Sequence, residues 1–215
     1  MPLDPALTVA YIVLAATLAL SPGPDVMFVI ANGMRHKIIG AIASALGISA
    51  GSFLHSILAA VGVSAVIAAS PVAFEIMKIA GALYLAWLGV QAIRSFLRTS
   101  GSTNLTQKTQ EVSAWQIFLR GYLTNILNPK VIVFYLALLP QFVSVELGYV
   151  GLQVFLLGCI HNAIGLSFLI VVGLAAGKAS CWIARTSLGR WLDGIAGVFF
   201  LGLAARLALT GRPNG

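Results

Sequence analysis

The chain has 215 residues, 59 % of them hydrophobic and 9 % charged, with a mean hydropathy of +0.97. Soluble domains carry about a quarter charged residues, so this composition excludes an ordinary soluble domain and points to an integral membrane protein in a lipid bilayer. The 13 Lys and Arg against 6 Asp and Glu would suggest a nucleic-acid partner in a soluble chain; here the basic residues gather in a few connections, as they do in cytoplasmic loops, and no nucleic acid is expected.

Six segments reach spanning length. The first runs from about residue 6 to 31 and is interrupted by Ser21-Pro22-Gly23-Pro24-Asp25. No Lys or Arg precedes Arg35, so the segment lacks the basic start of a signal peptide and is expected to remain as a span. The second runs from about 39 to 68, is rich in small residues, and places Gly47 and Gly51 four apart ahead of Ser52 and His55; that spacing lets helix backbones approach closely. The third covers about 76 to 96, and a polar linker of Gly, Ser, Thr, Asn and Gln follows over 98–113. The fourth covers about 115 to 143, the fifth about 147 to 176 with His161 and Asn162 in its middle, and the sixth about 191 to 209, opening on Asp193-Gly194. Cys159 lies mid-span and Cys181 in a basic connection, which is no disulfide framework.

Charge sets an expected orientation. The connections after spans one, three and five carry Arg35 and Lys37, then Arg94, Arg98 and Lys108, then Lys178, Arg185 and Arg190. Those after spans two and four carry Glu75 against Lys78, and Glu146. The positive-inside rule places the odd connections in the cytoplasm and both termini outside. The halves also echo each other: Pro24 precedes His55 by 31 residues, and Pro129 precedes His161 by 32. Three spans per half is an odd number, so such repeats insert with opposite orientation. The expected fold is therefore all-α and polytopic: one transport domain over 1–215, built as inverted three-helix repeats over about 1–97 and 114–215, with helices 1 and 4 broken at their proline motifs. Inverted repeats meeting at broken helices are the plan of many secondary transporters.

The fourth span is broken by Asn125-Ile126-Leu127-Asn128-Pro129-Lys130. Proline removes a backbone donor and clashes with the preceding turn, which frees carbonyls that lipid cannot satisfy. A lysine at the bilayer centre costs at least about 2.5–3.5 kcal/mol on insertion scales. A polar site buried between helices offsets both, and the two breaks read as the two halves of one site.

Ser21-Pro22-Gly23-Pro24-Asp25, the run Gly81 to Gly89 with Tyr84 inside it, Leu123-Thr124-Asn125 with Asn128-Pro129-Lys130, and the stretch from Arg190 through Asp193 to Gly197 together resemble the LysE/RhtB family of amino-acid exporters, nearest to its threonine/homoserine members. The resemblance spans nearly the whole chain. It implies a six-span exporter of small amino acids in a bacterial inner membrane, driven by proton antiport. No cofactor is expected, and a homodimer is the candidate assembly.

A zwitterion needs an anionic partner for its ammonium and a cationic one for its carboxylate. Asp25 and Lys130, each just after a proline break, supply one of each. Asn125 and Asn128 lie three apart, as on one helix face, and either line the cargo or satisfy carbonyls freed by Pro129. Gly23, Pro24 and Pro129 shape the site. The proton-coupling candidates are Asp25, Asp193, His55 and His161, because a carboxylate or imidazole in a span can relay protons; a cap for Asp193 and helix-bridging for the histidines are the competing readings. Ser52, Thr124 and Gln141 are candidate polar lining. Two other classes compete: a divalent-metal carrier using Asp25, His55, Cys159, His161 and Asp193, and an intramembrane hydrolase using Ser52 with His161. The metal reading suffers because Cys159 and His161, two apart, point to different faces; the hydrolase lacks a nucleophile elbow around Ser52. The absence of a phosphate-binding loop favours an ion gradient over ATP.

Overall fold

A computed structural model of the chain describes residues 3–21, 23–69 and 112–178, together with helical positions between 72 and 97 and between 198 and 205. Every element among the described residues is helical. The sixth-span motif around Asp193, the polar linker over 101–111 and the basic connection around Cys181 lie outside them.

Helix α1 (Pro5–Leu20) starts where Asp4 accepts the Leu7 N–H at 2.9 Å, with Pro5 at the first helical position, where a missing N–H leaves nothing unsatisfied. It buries Tyr11, Leu14, Ala15 and Leu18, a stripe of helical spacing. Its 16 residues reach about 24 Å at 1.5 Å each, short of a ~30 Å hydrocarbon core. After the break at Ser21 and Gly23 comes the first arm of α2 (Pro24–Ala69).

That arm continues to residue 36 and turns sharply at Lys37, whose backbone takes φ 53° and ψ −135°. The turn is tight enough that a Cβ on Gly40 would fall on the Asn32 carbonyl and the His36 side chain. Val29 and Ala41, on opposite arms, both touch Gly173, which fixes the two arms as a helical hairpin. The expected first connection therefore shrinks to one residue, with helix on both sides.

Ser113 caps helix α3 (Ala114–Ile126) in a reciprocal box: its hydroxyl accepts the Gln116 N–H at 3.3 Å and its own N–H reaches Gln116 Oε1 at 3.2 Å. Leu127 ends α3, Asn128 caps helix α4 (Pro129–Val133), and the helical segments on the two sides of the break meet at a bend of 51°. Beyond α4 the helix widens into a π turn over Phe134–Leu138 and tightens into a 3-10 turn over Leu139–Phe142 around Pro140. After the connection over 143–149, where Gly148 and Tyr149 both take positive φ, helix α5 (Val150–Lys178) forms an unbroken apolar helix. The fully buried Gln153 clasps that connection, accepting the Ser144 N–H at 2.9 Å and donating to the carbonyls of Ser144 and Gly148 at 2.8 and 2.6 Å.

The second arm of α2 is the central post, packed on one side by α3 and on another by α5. Gly47 is what lets α3 so close: a Cβ there would fall on the Phe118 carbonyl. The core joins Tyr11, Leu14 and Leu18 to Val131, Phe134, Tyr135, Leu138 and Leu157, and Tyr11 donates its hydroxyl to the Leu157 carbonyl at 2.9 Å. Ala86 and Ala204 pack on the same core. The outer faces carry exposed aliphatic side chains, Val9, Ile39, Val61 and Val171 among them, each at least 63 % exposed. Water would drive such a surface to aggregate, whereas hydrocarbon accepts it.

Candidate functional site

The two helix breaks face each other, and each is held by groups from the other. At the first, Pro22 has no N–H to give the Leu18 carbonyl four residues back. Lys130 reaches across from the second break and donates its ammonium to the carbonyls of Leu18 and Ser21, each at 2.9 Å. These carbonyls end α1, where the helix dipole is negative, so a cation suits them. At the second, Pro129 has no N–H for the Asn125 carbonyl. That carbonyl accepts the Asn128 N–H at 3.0 Å instead and lies beside the imidazole of His55 on the second arm of α2.

Asp25 sits in the first turn of α2, at the positive end of the dipole. Its Oδ2 accepts from Asn125 Nδ2 at 2.7 Å, while its Oδ1 and the Asn125 Oδ1 are buried without a hydrogen-bond partner. Asn125 fits because Gly51 faces it: a Cβ on Gly51 would stand 2.9 Å from the Asn125 Oδ1. Asn128 does not share a helix face with Asn125, contrary to their three-residue spacing, because the chain breaks between them. Its carboxamide accepts the Lys130 N–H at 3.1 Å and starts the next helix.

Between the breaks lies a cavity of about 70 Å³. At ~10–15 Å³ of such space per water it holds roughly five to seven waters, the scale of a small polar solute. Its wall includes Ser21, Gly23, Asp25, Asn125, Asn128 and Lys130 from the broken segments, Ile48, Ser49 and Ser52 from the second arm of α2, and His161, Asn162, Gly165, Leu166 and Leu169 from α5. Pro24 and Pro129 start the helices on which Asp25 and Lys130 stand and do not themselves line it.

Tyr135 connects the two histidines, and sequence reasoning missed it. Its ring stacks on His55 at 5.6 Å and meets His161 edge-on at 5.8 Å. Its hydroxyl pairs with Ser52 at 2.9 Å and accepts from Ser56 at 3.1 Å. His161 lines the cavity, lies 4.2 Å from the Phe134 ring and leaves Nδ1 buried without a partner; His55 stands behind Tyr135 with Nε2 in the same condition. Ser52 is thus held by a phenol rather than an imidazole. Thr124 and Gln141 stay out of the cavity, donating back to the carbonyls of Arg120 and Ala137 at 2.7 and 2.8 Å. Asp193 falls outside the described residues. Among the described residues no three His, Cys, Asp or Glu side chains come together as metal ligands.

Comparison with known proteins gives one consistent result. The model of the LysE type translocator family matches residues 16–211. The homoserine/homoserine lactone efflux protein of Salmonella typhimurium is 33 % identical over 201 residues, covering 93 % of this chain and 94 % of that protein. The leucine efflux protein of Salmonella choleraesuis is 30 % identical over 199 residues, 92 % of each. No solved structure gives a significant match.

Proposed function

Since the chain belongs to the LysE type translocator family, and is a membrane transporter of amino-acid efflux type rather than an enzyme, we propose that it exports small amino acids of the threonine or homoserine kind across a bacterial inner membrane by proton antiport. The observation that carries this reading is the charge arrangement. An anion and a cation, Asp25 and Lys130, come from two separate helix breaks and line one cavity sized for a small solute. The substrate ammonium would take the unpartnered Asp25 oxygen, and its carboxylate would lie near the Lys130 ammonium and the α2 N-terminus. Gly23, Asn125 and Asn128 complete that wall. Asp25, His161 and, behind Tyr135, His55 are the proton-coupling groups of this reading, with Asp193 a further candidate from the sequence.

The same reading takes the chain as one domain of two inverted repeats, about 1–97 and 114–215, joined by a cytoplasmic linker, with both termini outside. The bonds that tie the two breaks together, Lys130 to the carbonyls of the first and Asn125 to Asp25, and the meeting of His55 and His161 on one tyrosine support that plan. Single cysteines at positions 108 and 146, in a background lacking Cys159 and Cys181, should label oppositely with an impermeant reagent; equal labelling would remove it. The function is tested by counterflow of labelled homoserine, threonine and leucine in proteoliposomes, with and without an imposed pH gradient. Amino-acid exchange that the gradient accelerates is the expected result. Exchange indifferent to the gradient would remove the antiport, and no exchange of any amino acid would remove the cargo.

A further inference from the structure

The charges of the cavity stand on the broken segments together with Ser21, Asn125 and Asn128, and a second polar wall of Ser49, Ser52 and Asn162 stands on unbroken helix. Ser49, on the second arm of α2, donates to Asn162 Oδ1 on α5 at 2.9 Å. The bond engages one end of the carboxamide and fixes its plane. The other end, an NH2 with two donors, makes no hydrogen bond among the described residues, and Asn162 lines the cavity.

Gly165, three residues on and on the same face of α5, also lines the cavity. Among the described residues a Cβ on it would meet nothing within 4 Å. The contrast with Gly47 and Gly51 is informative. There a Cβ would collide with α3, so those glycines exist to bring helices together. Gly165 brings no described helices together; its missing side chain leaves room in the cavity beside a carboxamide with donors to spare.

The geometry points to a side-chain subsite on the unbroken helices, in which Asn162, oriented by Ser49, hydrogen-bonds a hydroxyl on the cargo's side chain and Gly165 leaves the space for that side chain. This rests on the export of threonine- or homoserine-like amino acids proposed above and assigns the residues that read the side-chain hydroxyl. An aliphatic cargo of similar size would bury the Asn162 amide against methyl groups and leave it unsatisfied, and a site built to hydrogen-bond a hydroxyl rejects the analogue that lacks it. Relatives named for homoserine and for leucine match this chain at 33 % and 30 % identity, so identity does not separate the cargoes, whereas the subsite does.

The test is transport of labelled homoserine, serine and leucine into proteoliposomes, at matched levels of inserted protein, by the parent chain, Asn162→Leu, Asn162→Gln and Gly165→Val. The parent should prefer homoserine. Asn162→Leu should lower the homoserine-to-leucine ratio at least about tenfold, and Asn162→Gln should restore part of it, which a merely structural role would not do. Gly165→Val meets no described neighbour at its Cβ and keeps the amide. It should slow homoserine more than serine, and it carries the test if Asn162→Leu does not insert. A parent that prefers leucine overturns the subsite while leaving amino-acid export intact, and so does an unchanged ratio in Asn162→Leu with no size effect in Gly165→Val. A parent inserted normally that moves no amino acid overturns the export reading and the subsite with it.

Discussion

Replacing Lys130 with methionine keeps the apolar stem and removes the ammonium that holds the carbonyls of Leu18 and Ser21. A hydrogen bond from a charged group contributes about 1.5–3 kcal/mol in soluble proteins. Interhelical bonds in bilayers average only ~0.6 kcal/mol, with a maximum near ~1.7, because the separated helices find other partners. Two charge-assisted bonds at the upper bilayer value give about 3 kcal/mol. The loss should be no smaller, because Asp25 keeps its buried, unpartnered oxygen and loses a nearby counter-charge. At ~2–4 °C per kcal/mol for a chain of this length, that is a fall of roughly 6–12 °C in the melting temperature of the detergent-solubilised protein. The informative companion is Lys130→Gln, a neutral side chain that can still donate to both carbonyls. It should recover much of the thermal stability yet stay inactive in export, separating the donor from the charge. Lys130→Met as heat-stable as the parent would refute the capping of the first break. Full export by Lys130→Gln would refute the need for a cation.

Other perturbations read the packing and the second break. Gly47→Ala should destabilise the protein by about 1–3 kcal/mol through overpacking against the Phe118 carbonyl. Gly62→Ala, whose Cβ meets nothing within 4 Å among the described residues, should be neutral or stabilising by up to about 1 kcal/mol from helix propensity; equal melting shifts in the two would deny that Gly47 marks a close helix contact. Pro129→Ala alone should leave the bend largely in place, because Asn128 still caps α4 through its side chain. The double change Asn128→Ala with Pro129→Ala should straighten the span and abolish export, and spin-label distances across the break would show whether the single variant had already done so.

Much of this architecture was legible because proline and glycine act locally. Pro22, Pro24 and Pro129 announce helix breaks wherever the flanks are helical, and Gly47 with Gly51 announces a close approach, here to α3. Pairing across the fold was not legible. Tyr135 sits in an apolar run and looks like core until Ser52 and Ser56, 83 and 79 residues away, present their hydroxyls to it; the four-residue spacing of those serines was the available signal. The spacing of Asn125 and Asn128 misled because it assumed a continuous helix through the residue that breaks it. The Lys37 turn was hidden for the opposite reason: a positive φ at a lysine has no signature in composition, so the first connection read as a short loop.

The capping pattern also decides how the charge pair can be interrogated. Exchanging Asp25 and Lys130 looks like a clean way to tell a salt bridge from a binding site, since a structural bridge tolerates reversal of its ends. The ammonium of Lys130, however, is bonded to the carbonyls that Pro22 and the break at Ser21 leave open. A carboxylate at position 130 would point acceptor at acceptor, at the negative end of the α1 dipole. A lysine at position 25 would in turn face the positive end of α2. The exchanged protein should therefore fail whether or not the pair binds cargo, and its failure says nothing about a zwitterion. The first proline break draws its donor from the other half of the chain, Lys130, whereas the second is closed by its own Asn128 N–H. Charge and hydrogen-bond donation thus coincide in one side chain at the first break, and only a neutral donor at that position pulls them apart.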